Sequence, residues 1–119
     1  MSAQLKTYSA QTGFVYQYYF VGQRPALADD PEAPSTEYIF DVSCDRKTTF
    51  AVSIFLPPAA LAAWAVKYGR DLVEPEQYAA AKLRLLLGFD EIPDMLRDGR
   101  RLRLDDEQII ELLDSIGID

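Results

Sequence analysis

The chain has 119 residues, 49% of them hydrophobic and 26% charged, which fits one folded globular domain and excludes wholesale disorder. It has no histidine and one cysteine, which removes imidazole acid–base chemistry, the usual serine and cysteine triads, any internal disulfide and an ordinary zinc site. A net charge of −7 disfavours nucleic acid and anionic membranes as partners on average.

In chain order, residues 1–12 are polar and without a clear period, which reads as a loosely ordered start. No apolar core of a secretory signal occurs there, and with one cysteine this favours a cytoplasmic protein. Between Gly13 and Gly22 the residues are almost all branched or aromatic, which predicts a first strand. Residues 23–35 hold Pro25, Pro31 and Pro34 with Asp29, Asp30 and Glu32, and read as a long, proline-rich acidic loop. Thr36–Cys44 and Thr48–Leu56 alternate with period two around the polar turn Asp45-Arg46-Lys47, the pattern of a hairpin. One row of that hairpin is Tyr38, Phe40, Val42 and Cys44 with Phe50, Val52, Ile54 and Leu56. The other is Ile39, Asp41 and Ser43 with Ala51, Ser53 and Phe55.

Thr48 to Val66 is uncharged over nearly the length of a membrane span, but Pro57 and Pro58 divide it into a strand-like and a helix-like half. A strand running into a helix accounts for the segment, so no membrane association is expected.

Leu61, Trp64, Ala65 and Tyr68 recur at helical spacing before Gly69, with Trp64 as a core anchor. A second helix is predicted from about Pro75 to Gly88, and a short third from a cap at Asp90 to Gly99. Residues 100–104 suit a short extended piece. Asp105 and Gln108 make a capping-box start to a last helix whose apolar face is Ile109, Leu112, Leu113 and Ile116. Strands first and helices afterwards predict a single α+β domain over residues 1–119. Its expected form is a three-stranded antiparallel sheet packed against three or four C-terminal helices.

No segment carries a catalytic or family motif: there is no phosphate-cradling glycine loop and no spaced set of metal ligands. No cofactor and no metal are therefore expected. The functional candidate is the second sheet face, with Gln17, Tyr19, Ile39, Asp41, Ser43, Ser53 and Phe55. The strand-one row Tyr16, Tyr18 and Phe20 is the alternative to the Gln17 and Tyr19 row. Polar groups on an apolar, aromatic floor suit a small-molecule pocket or a homodimer or protein-partner interface, and also an ordinary solvated face.

On that face Asp41 with Tyr16, Tyr18 or Tyr19 suggests a histidine-free isomerase or lyase, a carboxylate base beside a phenol. The plainer expectation pairs Asp41 with Arg46, Lys47 or a loop amide. Cys44 falls on the apolar row and is expected to be buried and inert. Arg97, Arg100, Arg101 and Arg103 cluster closely enough to contact anions, as in a regulatory segment, or to pair with acidic residues 105–107. A non-catalytic, self-associating interaction domain is the first expectation for function.

Overall fold

Branched and aromatic residues at alternating positions build the sheet, and their apolar row decides which side the helices cover. The computed structural model describes residues 4–26 and 34–119. The elements run β1 (Lys6–Ser9), β2 (Val15–Ala26), β3 (Ser35–Ser43), β4 (Phe50–Leu56), α1 (Pro58–Tyr68), α2 (Glu74–Glu91), α3 (Met95–Asp98), β5 (Arg101–Arg103) and α4 (Asp106–Asp114). The class is α+β, but the sheet has five strands in the order β1-β2-β3-β4-β5. The first four are antiparallel neighbours; β5 returns through the helices to lie parallel to β4.

Two strands beyond the expected three come from segments that lack a period long enough to see. β1 is four residues held against Val15–Tyr18, where a loose N-terminal segment was expected. Its anchor is distant in sequence: Tyr8 donates to Asp90 at 2.6 Å, and the Gln11 amide donates to the same carboxylate at 2.9 Å. β5 is three residues from the stretch read as extended, and it makes the sheet mixed rather than antiparallel. β2 passes Gly22 with a bulge after Phe20 and continues to Ala26. The expected loop 23–35 therefore gives up residues 23–26 and 35 to strands; Pro34 stands just before β3, and 27–33 lies outside the described residues.

Tyr16, Tyr18, Tyr38, Phe40, Val42, Val52, Ile54 and Leu56 make the buried face of the sheet. The helices supply Trp64, Ala80, Ala81, Leu85, Phe89, Ile109 and Leu113 against it. Phe89 stacks on Tyr16 with ring centroids 4.0 Å apart. The Tyr16 and Tyr18 row thus belongs to the core, and the Gln17 and Tyr19 row to the opposite face.

The helix boundaries bring further corrections. α2 does not stop at Gly88 but runs through it, and the glycine there packs close to β5, where a Cβ would stand 2.6 Å from the end of the Leu102 side chain. Asp90 therefore lies inside α2, where it holds Tyr8; α3 is capped by Asp94, whose carboxylate accepts from the Arg97 amide. α4 begins with the expected Asp105–Gln108 capping box. Ile116 is 49% exposed and not part of its packed face. Cys44 is exposed as well: β3 ends at Ser43, so Cys44 opens the turn instead of extending the apolar row. No described helix is long and apolar enough to cross a membrane.

Candidate functional site

The register of the sheet lays the candidate residues out in rows across its outer face. One row is Tyr19, Asp41 and Ala51; the next is Gly22, Ile39, Ser53 and Arg101; a third is Arg24, Glu37, Phe55 and Arg103. Gln17 and Ser43 pair at the end nearest the hairpin turn. Gln17, Tyr19, Ile39, Asp41, Ser43, Ser53 and Phe55 thus share one face, opposite the helices.

Two hydrogen-bonded groups occupy that face. Tyr19 donates its phenol proton to Asp41 at 2.7 Å, and this bond together with the carboxylate's charge raises the phenol pKa above its ordinary value. Asp41 therefore pairs with Tyr19, not with Arg46, Lys47 or a loop amide. The second group centres on Glu37, which is buried. It accepts from Ser53 at 2.6 Å and from Arg24 at 3.0 Å. Burial pushes its carboxyl upward, but the Ser53 and Arg24 bonds and the charges of Arg24 and Arg101 outweigh it, and the net shift is downward.

Ser43 is committed to the hairpin. Its hydroxyl accepts from the Arg46 amide at 3.0 Å, and Asp45 takes the Lys47 and Thr48 amides at 2.8 Å. Those two amides are the leading cause of the lowered Asp45 pKa. Arg46 itself sits at φ 64°, in the left-handed region.

The hollow beside Tyr19 and Asp41 is lined by Leu5, Gln17, Ser43, Arg46 and Thr49 as well, with a volume of about 90 Å³. Small-molecule sites usually enclose about 300 Å³ or more. A larger, shallow groove of about 380 Å³ lies elsewhere, between β2 and the start of α2, lined by Phe20, Gln23, Glu74, Pro75 and Tyr78. Among the described residues no three acidic, cysteine or histidine side chains gather as a metal ion would need.

The four arginines do not form one cluster. Arg97 is on α3, paired with Asp98 at 2.9 Å and Asp94 at 3.9 Å. Arg100 precedes β5; its Nε donates to the Ala51 carbonyl and its guanidinium lies over Phe50. Arg101 covers the Phe55 ring at 4.6 Å. Arg101 and Arg103 both point to the outer face, with buried Leu102 between them pointing inward. No ion pair among the described residues joins Arg100, Arg101 or Arg103 to acidic residues 105–107.

Arg24 and Glu37 are the outer-face residues that sequence reading missed. A first strand ending at Gly22 has no position for Arg24, so its place opposite Glu37 is invisible until the bulge carries β2 onward.

Charge is divided between the layers. The described strands and turns (4–26, 34–57 and 99–104) carry seven basic residues against Glu37, Asp41 and Asp45, a net of +4. The helical segments (58–98 and 105–119) carry five basic residues against thirteen acidic ones, a net of −8. Asp29, Asp30 and Glu32 in residues 27–33, outside the described residues, supply the other −3 of the whole-chain −7.

No protein-family model matches the chain, and no match to it is found among curated proteins or solved structures.

Proposed function

We propose that the protein is a non-catalytic interaction domain that associates with a second copy of itself through the outer face of its sheet. The observation that carries this reading is the one-sided cover. α1, α2 and α4 pack on one face of five strands, while the other presents Ile39 and Ala51, with Phe55 buried under Arg101 beside them. A sheet face with an apolar patch at Ile39 and Ala51, its carboxylates already bonded within the face and its edge arginines exposed, suits a protein contact surface. The division of charge supplies the partner surface, because the helical layer of another copy is strongly acidic. The proposal includes a reducing compartment such as the cytoplasm, in which the exposed, single Cys44 persists as a thiol.

The isomerase or lyase reading gains no support from the same geometry. A base and an acid need a reacting atom between them, whereas Tyr19 and Asp41 are hydrogen-bonded to one another. The hollow beside them has room for water rather than for a substrate and its transition state.

Amide chemical shifts over a concentration series test the reading. Association through the outer face moves resonances in β3, β4 and β5 around Ile39, Ser53 and Arg101, and Ile39→Lys abolishes the movement. Spectra that stay unchanged across the series, with Ile39→Lys indistinguishable from wild type, overturn it.

A further inference from the structure

We infer that copies of the chain stack head to tail, the outer sheet face of one against the acidic helical layer of the next; this rests on the self-association proposed above. The outer face carries Arg24, Arg101 and Arg103 against Glu37 and Asp41, with Arg24 already paired to Glu37, whereas the helical segments sum to −8 over the described residues. Pairing two helical layers sets like against like, and in a contact between two sheet faces Arg101 and Arg103 meet only carboxylates already bonded within the face. Sheet on helix is the arrangement in which the touching layers attract.

The repulsion expected from a chain of net charge −7 does not oppose this contact strongly. At physiological ionic strength charges screen one another over about 8 Å, and the molecule measures 43 × 31 × 31 Å. The distant layers are screened, and the charges that meet at the contact dominate.

Particular residues are available on both sides. Arg101 and Arg103 are exposed on β5 without an ion pair among the described residues. On α4, Glu107, Glu111 and Asp114 are exposed and spaced i, i+4, i+7, which puts them in one stripe. α4 contains no lysine or arginine to neutralise them. Two arginines on adjacent outward positions of a strand can meet acidic residues one helical turn apart as charge-assisted hydrogen bonds. The apolar centre around Ile39 then loses its water.

A contact between two different surfaces leaves one of each unused at the ends. Growth therefore continues past a dimer, or closes into a ring if the rotation permits.

Charge-reversal variants used separately and together provide the test. One carries Arg101→Glu and Arg103→Glu; the other carries Glu107→Lys and Glu111→Lys. Each protein is checked for folding by circular dichroism and weighed by light scattering at concentrations where wild type associates. Head-to-tail stacking predicts that each variant alone stays at the 13.4 kDa of one chain, and that a 1:1 mixture associates again. It also predicts that added salt weakens wild-type association. If the first variant does not fold, Arg103→Glu alone replaces it, since that side chain covers no ring.

Two outcomes are decisive in the other direction. A helix-side variant that associates as wild type does, or a mixture that stays monomeric while wild type associates, overturns stacking and leaves the sheet-face reading intact. A wild type that is monomeric at every concentration overturns that reading itself, and stacking with it.

Discussion

Tyr8 and Asp90 show how one pair of side chains fixes a strand. The phenol donates to a carboxylate on α2, and that hydrogen bond, with burial and the Asp90 charge, pushes its pKa up to about 12. Removing the hydroxyl in Tyr8→Phe leaves Asp90 with the Gln11 amide alone and should cost about 1 kcal/mol. Hydrogen exchange in β1 should accelerate more than exchange in β3; equal protection of both strands in the variant would show that Tyr8 does not anchor β1.

The pH dependence follows from the same kind of residue-level pairing. Glu76 is held at about 2, first by its hydrogen bond with Arg70 and then by the Val73 amide. Glu37 is also shifted downward. Both groups bind fewer protons in the folded chain than in the unfolded one, so their contribution is present above pH 4.5. It is lost as pH falls through the folded values. Tyr8 is shifted the other way: its contribution is present below pH 10.0 and is lost as pH rises through about 12. The urea midpoint should therefore be flat near neutrality and fall on both sides. Glu76→Gln should make the acid limb shallower, and an unaltered acid slope would rule out Glu76 as a source of it.

At the level of elements, the helix-period and strand-period segments were legible because each is long enough to repeat. The β3–β4 hairpin, the start of α1 behind paired prolines and the capping box of α4 are all local patterns. β1 and β5 are too short to show a period, and both are held by contacts distant in sequence: Tyr8 to Asp90, and Leu102 against Gly88. The outer-face residues were legible because side-chain direction alternates strictly once a strand is placed. What alternation cannot supply is the pairing across strands: Tyr19 finds Asp41, and Glu37 finds Arg24, through register.

Gly88 tests the α2–β5 contact. Within a helix, alanine is ordinarily the better residue, but here a methyl group would meet Leu102 Cδ1 at 2.6 Å. Gly88→Ala should therefore destabilise the protein by about 1 kcal/mol, the low end of the overpacking range, because the obstructing atom is the end of the Leu102 side chain. A denaturation midpoint equal to or above that of wild type would mean that the Leu102 side chain turns aside at no cost.

The whole molecule is a two-layer plate with unlike sides. One side of the sheet is sealed by aromatic and aliphatic packing against helices. The other keeps its carboxylates bonded within the face and its arginines at the margins. Over the described residues, the charges of the strand and turn segments and of the helical segments sum to opposite signs. A molecule built this way has more to offer a partner surface than a substrate, and its salt sensitivity should be that of a charged contact.

The direct measurement is solution mass by light scattering on a size-exclusion column over a dilution series at low salt. The account predicts a mass above 13.4 kDa that declines towards that value on dilution. A mass of one chain at every concentration would contradict it.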